Sequence, residues 1–451
     1  MSLFNLDNDR GVYTPAAREI YFNQISPQSS SLTSNIQFRI QSNSVQQMVP
    51  QQSYFTIKVK IDNVDRFTGT HQTNFLASHL NDYFVHNYFS RVNVSMNGVR
   101  VSSLDQPTAY IHAYTDAVTT RDSNESSEGI FNKDAMTVLT GGSKKSEVMI
   151  MYRPHLSFFN LPYAMVTGDT VIQLVPKPAA NFAEQTFNIA DLNAASLGQS
   201  SIGGAHASHA GVLYDDDPNL ELTGNTARSY SGVATSLDGG ANSANNPVFS
   251  IEQIDFFVAF ATPQLPTPLP PLLKHQLSTP NIQFVPLQNH TSLNTTLTIP
   301  SSTYYLQVYC FDNSTAFSRA VGPLRFDVST INELTMRIAG GVYPSLPYLN
   351  LSSTTSSDLS RAYTDSINSR MRLDLDSSYP KSFQEWVIRP VVSHQIYRAQ
   401  NNTDQTLQIQ VRRTNNALTS HQLCVVAYYH EILGMTYEDD QLVRVDVQPV
   451  L

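Results

Sequence analysis

Apolar and polar residues alternate with a period of two along much of this chain. Phe55, Ile57, Val59 and Ile61 fall on one side of a run whose other side is Thr56, Lys58 and Lys60. This is the pattern of a strand with one buried face. The same alternation runs through Ile36 to Ile40, Val92 to Met96, Val171 to Val175, Ile254 to Phe260, Leu306 to Cys310, Leu334 to Ile338, Leu407 to Val411, Leu423 to Tyr429 and Val443 to Val447. Helix-period stretches are few and short, the best being Ala109 to Val118 and Leu359 to Arg370, the second opening near Asp358, a residue able to cap a helix. Many short strands joined by polar loops predict an all-β protein of antiparallel sandwiches with a few short helices.

Several of these segments recur in the same order. Asn35-Ile36-Gln37-Phe38 returns as Asn281-Ile282-Gln283-Phe284, and the series Pro50, Tyr54-Phe55, Asp62-Asn63, Phe67 returns as Pro300, Tyr304-Tyr305, Asp312-Asn313, Phe317. Behind it, Val92, Val94 and Met96 running into Asn97-Gly98 match Leu334, Met336 and Ile338 running into Gly340-Gly341. Ala113-Tyr114-Thr115-Asp116-Ala117-Val118 matches Ala362-Tyr363-Thr364-Asp365-Ser366-Ile367. So long a period means two complete domains, not a solenoid. Asn-Ile-Gln-Phe is expected to mark the first strand of each copy. Residue identity pairs Asp62-Asn63 with Asp312-Asn313 at an offset of 250, but matching the alternating faces requires 249. A one-residue slip exchanges core and surface, so the face register is preferred.

The copies differ in length. An insertion of roughly 75 residues is expected in the first, at about 181–246, where Gly203-Gly204, Asp215-Asp216-Asp217-Pro218 and Gly239-Gly240 sit among Ser, Ala and Asn. Five prolines in the ten residues Thr262 to Pro271 favour extended, semi-rigid geometry and predict the connector. The expected organisation is an arm at 1–34, a first sandwich at 35–262 carrying the insertion, a linker at 263–272 and a second sandwich at 273–451.

Composition narrows the function. Only 14% of the 451 residues are charged, against a usual quarter, with polarity supplied by Asn, Gln, Ser and Thr. Low charge with 22 Tyr and 22 Phe suits large permanent interfaces. A net charge of −9, with no basic run longer than a pair such as Lys144-Lys145, argues against a surface that wraps nucleic acid. Cys310 and Cys424 lie in apolar strand-like runs and are expected to be buried free thiols. No signal peptide or membrane-spanning run is evident, so synthesis in a cytosol is expected.

No catalytic, metal or cofactor site is assigned. His206 and His209 have HxxH spacing but sit in a Gly/Ala/Ser loop with no further ligands. Asp215-Asp216-Asp217 offers oxygen ligands without an EF-hand pattern, and Asp374 and Asp376 read as the solvated face of a strand rather than a paired-carboxylate centre. The lone Trp386 is expected to be a core or interface anchor. A duplicated carbohydrate-binding or adhesin sandwich is the alternative reading, and it would ordinarily carry a secretion signal.

Three stretches support a more specific likeness. Asn35 to Ile40 followed by Ser53 to Ile61, then Tyr88 to Val99 with its aromatic-Ser entry and Asn-Gly turn followed by Tyr110 and Tyr114, and finally Val425-Val426-Ala427-Tyr428-Tyr429 resemble strands of double-jelly-roll major capsid proteins of double-stranded DNA viruses. Virophages, polinton-like elements and the adenovirus hexon belong to this lineage. The resemblance implies two tandem jelly rolls per chain and a homotrimer whose six rolls form a pseudo-hexagonal capsomer, tiling an icosahedral shell. It further implies contacts with neighbouring capsomers, penton and minor capsid proteins and any internal membrane, without sequence-specific nucleic-acid binding. The insertion would project as a tower or lock neighbours, and the N-terminal arm, with Phe4, Leu6, Tyr13, Ile20 and Phe22, would tie capsomers together.

Overall fold

A computed structural model describes residues 17–29, 31–62, 75–80, 84–105, 147–161, 163–176, 187–192, 248–263, 269, 271–287, 290–312, 331–338, 341–351, 356–371, 383, 386, 391–396, 405–413 and 421–449. The first half contributes β1 (Ala17–Ile25), β2 (Ile36–Gln41), β3 (Gln47–Met48), β4 (Tyr54–Asp62), β5 (Phe75–Leu80), α1 (Phe84–Tyr88), β6 (Phe89–Met96), β7 (Val99–Asp105), β8 (Glu147–Tyr152), β9 (Asp169–Pro176), β10 (Phe187–Leu192) and β11 (Val248–Pro263). The second contributes β12 (Leu272–Pro286), β13 (Ser292–Ile299), β14 (Thr303–Asp312), β15 (Ile331–Ile338), β16 (Gly341–Tyr348), α2 (Ser357–Met371), β17 (Val392–Gln395), β18 (Gln405–Arg413), β19 (His421–Glu438) and β20 (Gln441–Pro449). Each strand run predicted from alternation lies on one of these strands.

Strand order defines both halves as jelly rolls. The second half pairs β12-β19-β14-β17 in one sheet and β13-β18-β15-β16 in the other, with β20 added on β19, so that, β20 set aside, its eight remaining strands in chain order occupy positions 1-8-3-6 and 2-7-4-5. The first half gives β1-β11-β4-β8 and β2-β9-β6-β7. With the short β3 and the separate β5–β10 pair set aside, this is the same permutation, closing two Greek keys into a sandwich. All the pairings are antiparallel.

This topology corrects the expected first strand. Ile36 to Phe38 lie on β2, the second strand of the first roll, whereas Ile282 to Phe284 lie near the end of β12, the first strand of the second. Traced through the paired strands β9 and β18, the partner of Ile36 is near Leu293 on β13. The tetrapeptide match therefore joins non-equivalent strands: any half-buried strand rich in Asn and Gln can generate it. Two of the other three matches join equivalents, β4 with β14 and β6 with β15, and the third, at Ala113 to Val118, lies outside the described residues in the first copy. At an offset of 249, Ile57 and Val59 correspond to Leu306 and Val308, and both pairs face the interior of their own sandwich.

Other differences are local. Residues 17–25, expected in an arm, form β1 and pair with β11, because the first roll needs an edge strand there to complete its sheet. In the first roll β9 ends at Pro176 and β11 opens at Val248, whereas in the second β18 ends at Arg413 and β19 opens at His421. The extra length thus falls between the seventh and eighth strands, and it includes β10, paired with β5. Helix α2 is capped by Ser356, whose Oγ accepts from the Asp358 amide at 3.0 Å. Asp358 itself accepts from the Leu349 amide at 2.9 Å and pairs with Arg361 at 3.1 Å. The expected helix at Ala109 to Val118 lies outside the described residues.

Two apolar clusters organise the molecule. In the first roll a cross-strand row, Ile25, Phe256, Phe55 and Tyr152, spans the sheet. Phe55 stacks on Phe256 at 4.3 Å and meets Phe38 of the opposite sheet edge-on at 5.2 Å. In the second roll Trp386 is fully buried against Tyr363 and Phe383, its Nε1 donating to Val391 O at 3.2 Å. The sheet β12-β19-β14-β17 serves both clusters. Its inner face, with Leu306 and Val425, belongs to the second roll's core, while Tyr305, Cys424 and Val426 on its outer face belong to the cluster that contains the first roll's core.

Candidate assembly surface

The two rolls are joined by side chains as well as by the chain. The Asn97-Gly98 turn between β6 and β7 has left-handed backbone at both residues, φ 48° and 81°, the conformation that suits a tight hairpin and that Asn and Gly tolerate. Held there, Asn97 accepts from the Asp169 amide through Oδ1 at 3.0 Å and donates from Nδ2 to Leu442 O of β20 at 2.9 Å. Gly168 has φ 59°, and a Cβ on it would lie 2.7 Å from Asn97 Oδ1, so the turn requires glycine beside it. Tyr437, buried on β19, donates to Val166 O at 2.9 Å, and Tyr163 stacks on His275 at 5.5 Å.

The proline run meets the same seam. Pro263 closes β11 and Leu272 opens β12; between them, the Leu269 amide donates to Asp440 Oδ1 at 2.8 Å and Pro271 O accepts from the Tyr437 amide at 3.0 Å. The remaining linker residues, 264–268 and 270, lie outside the described residues. Asp439 and Asp440 carry positive φ at the β19–β20 turn, and this turn anchors the linker. These hydrogen bonds link β20, β19 and the linker of the second roll to the β6–β7 turn and the segment ahead of β9 in the first.

A polar set holds α2 on the second roll. Tyr348 donates to Asp365 Oδ2 at 2.7 Å, with His394 Nε2 at 3.5 Å and the Arg361 guanidinium 4.9 Å above the Tyr348 ring. Ser366 Oγ shares its one proton between Ala362 O at 2.7 Å and Val391 O at 3.2 Å and accepts from the Ser393 amide. Four residues of the repeated segment at 362–367 thus dock the helix: Ala362 is buried, Tyr363 packs on Trp386, and Asp365 and Ser366 bond the sheet side. Burial, followed by Asp365, raises the Tyr348 hydroxyl well above the usual tyrosine range.

Burial pushes His394 down from 6.5 to about 4, with Asp365 pulling the other way. The native state therefore holds a neutral imidazole, and the unfolded chain binds its proton at higher pH. Stability from this group is fully present above pH 6.5 and is lost as pH falls toward 4. A shift of that size corresponds to roughly 3 kcal/mol. His430, stacked on Tyr304 at 4.1 Å, is lowered to about 4 by burial as well, and adds to the loss in the same window. Urea unfolding at pH 7.5 and pH 4.5 is expected to show the drop, with His394→Gln flattening it; an equal drop in the variant would contradict the assignment.

Chemistry-bearing residues are placed as follows. Cys310 and Cys424 are buried free thiols on opposite faces of their sheet, and burial pushes Cys424 up to about 12. His206, His209, Asp215 to Asp217, Asp374 and Asp376 lie outside the described residues. Among the described residues there is no group of three His, Cys, Asp or Glu able to hold a metal ion, and no helix is long and apolar enough to cross a membrane.

The two rolls differ most in what covers their equivalent sheets. On the outer face of β1-β11-β4-β8, Met149 is 61% exposed, and Phe22, Ile20 and Met151 are also exposed. Tyr54 stacks on Phe257 at 5.3 Å and touches Phe22 at 5.9 Å, which makes an aromatic patch beside them. On the second roll, Val342, Leu346 and Leu349 are exposed on and beside β16. Sequence reading did not locate these surfaces, because an apolar residue on a strand's outer face looks the same whether a neighbour covers it or not.

No family model matches the chain, and no curated protein sequence matches it. Among solved structures, it is similar to a chain in the cryo-electron-microscopy structure of the Sputnik virophage, with a TM-score of 0.59 and 12% identity over 96% of this chain and 89% of that one. The mavirus major capsid protein aligns with a TM-score of 0.49 and 10% identity, over 95% of this chain and 90% of that one. PBCV-1 VP54, as fitted into a Sputnik reconstruction, aligns with 0.49 and 7%, over 96% and 98%. At such low identity the first of these similarities speaks to fold. The eight-strand permutation, present twice, and an alignment that runs through both copies make this chain a double jelly roll with the fold of the virophage chain.

Proposed function

We propose that this protein is a major capsid protein whose homotrimers form pseudo-hexagonal capsomers that tile an icosahedral virus shell. The observation that carries the reading is the pairing of two jelly rolls of identical strand order in one chain through a continuous apolar cluster. Three such chains supply six similar wedges around one axis, although the chain itself has only a two-fold repeat. The fold shared with a chain of a virus particle, over nearly the whole length of both, supports the same conclusion.

The role is structural rather than enzymatic, and the protein's place is the virion after synthesis in the host cytoplasm. Its partners are further copies of itself, neighbouring capsomers, penton and minor capsid proteins, and any membrane beneath the shell. On this reading the insertion at about 181–246 would project as a tower or lock neighbouring subunits, and the N-terminal arm would tie capsomers together; residues 1–16 and most of 181–246 lie outside the described residues. Sedimentation analysis of the purified protein is expected to give about 150 kDa, three times the 50.2 kDa chain mass. A stable 50.2 kDa monomer that binds glycans would overturn the reading.

A further inference from the structure

An edge strand carries a row of unpaired backbone N–H and C=O groups, and proteins blunt such rows with charge, proline, short length or a covering segment. The edges of the two sandwiches are β1 and β8, β2 and β7, β12 and β17, and β13 and β16. Each of these except β13 is blunted within the strand: by a charged residue or a proline, such as Arg39 in β2, Lys274 in β12 and Pro344 in β16, or, in β17, by a length of only four residues. Strand β13, Ser-Leu-Asn-Thr-Thr-Leu-Thr-Ile, runs for eight residues with neither charge nor proline.

The two rolls differ at this edge. Traced through β9, β6, β15 and β18, Gln37 of β2 corresponds to Asn294 of β13, and Arg39 to Thr296. In the first roll the Gln37 carbonyl accepts from the Gln28 amide at 2.8 Å, so the chain covers its own edge. The connection from Ile25 to Ile36 is long enough to fold back in this way, whereas that from Pro286 to Ser292 is shorter. On β13, two bonds fix which way the backbone points. Thr291 O accepts from the Arg413 amide of β18 at 2.7 Å, and Thr298 O accepts from Gln283 Nε2, on the open side, at 2.6 Å. Alternation along the strand then turns Ser292, Asn294 and Thr296 outward with Thr298. Among the described residues, nothing pairs with the outward backbone of those three.

We infer that β13 pairs antiparallel with β13 of a second copy of this chain across a two-fold axis, with Asn294 opposite its own counterpart and Ser292 opposite the second copy's Thr296. Opposed residues with outward backbone exchange both N–H···O bonds, so the pairing satisfies the open row on both chains at once. A two-fold sets the strand against itself, and a charge near the axis would meet its like; β13 is the edge of this length without one. Arg412, the nearest cation on the neighbouring strand, is already paired with Glu333 at 2.9 Å. The Gln283 cap selects the register. Sliding the strands until Asn294 opposes Thr296 would set Ser292 against Thr298, whose carbonyl is taken. The inference rests on the capsomer reading: a three-fold ring contains no two-fold axis, so the paired chains belong to different trimers.

The test uses the full chain. In sedimentation experiments at rising concentration, wild-type trimers are expected to associate further. Asn294→Lys and, separately, Thr296→Pro should remain at about 150 kDa, three times the 50.2 kDa chain mass, with unchanged circular dichroism. Proline is tolerated at Thr296 because the N–H it removes faces the open edge. Gln37→Lys, the equivalent change on the covered edge of the first roll, should associate as the wild type does. Asn294→Cys chains treated with a short bifunctional maleimide are expected to cross-link copy to copy, giving a band at about 100 kDa, twice the 50.2 kDa chain mass, on a denaturing gel. Adding Thr296→Pro should abolish that band. Wild-type trimers that never associate, association that survives both changes on β13, or associated Asn294→Cys chains that yield no cross-linked pair would overturn the inference and leave the capsomer reading standing. A wild-type chain that never trimerises would overturn both.

Discussion

Replacing Phe55 with Ala is expected to lower unfolding stability by about 3–5 kcal/mol. The ring is fully buried at the centre of the first roll, in face contact with Phe256 and in edge contact with Phe38 and Phe159. Its removal deletes the buried area and leaves a cavity walled by large rings, which are poorly placed to collapse into it. The loss is also expected to reach the second roll. The sheet β12-β19-β14-β17 contributes its outer face to the cluster that holds Phe55 and its inner face to the cluster that holds Trp386. Denaturant unfolding followed by Trp386 fluorescence should therefore shift to lower midpoint in Phe55→Ala, together with the far-ultraviolet signal. An unmoved fluorescence transition would mean that the rolls unfold independently and that the shared sheet does not couple them.

Trp386→Ala is the second large effect, again about 3–5 kcal/mol. Trp386 packs between Tyr363 of α2 and Phe383, and its indole N–H is satisfied by Val391 O. The change empties the space under the helix and leaves that carbonyl with Ser366 Oγ, 3.2 Å away, as its remaining donor among the bonds described here. Because α2 is held by this packing and by Ser366 and Asp365, loss of the indole should weaken helix docking before the sheets fail. Hydrogen exchange at α2 amides is expected to accelerate more than exchange in β14 or β19. Trp386→Phe, which keeps an aromatic ring in the site, should recover most of the stability. Equal loss in the Phe and Ala variants would show that the hydrogen bond, and not ring packing, holds the helix.

Particular residues explain how far the sequence could be read. Strand alternation was legible because the sandwich interiors are apolar and each strand has one buried face: Phe55, Ile57 and Val59 announce their own burial. The duplication was legible from the β4–β14 and β6–β15 matches: Ile57, Val59, Val92, Val94 and Met96 and their counterparts Leu306, Val308, Leu334, Met336 and Ile338 all face a core. The tetrapeptide was misleading, since a binary pattern states that a residue is on a strand but not which strand, and the order of strands in a sheet is a long-range property. Strand β1 escaped notice for a related reason. As an edge strand with one covered face it carries Glu19, Asn23 and Gln24 among its apolar residues, and its role depends on β11, more than 230 residues away.

The assembly surface was less legible than the fold. Alternation separates inner from outer faces, but it does not separate an outer face bathed in water from one covered by another roll. Met149 and Ser393 invert the naive expectation: the apolar residue is exposed and the polar one buried.

Electron microscopy of the purified full-length protein tests the central claim most directly. Class averages viewed down the principal axis are predicted to have a hexagonal outline with three-fold symmetry and six wedge-shaped densities, two from each chain. Single two-lobed particles at all protein concentrations, or two-fold dimers, would contradict the account.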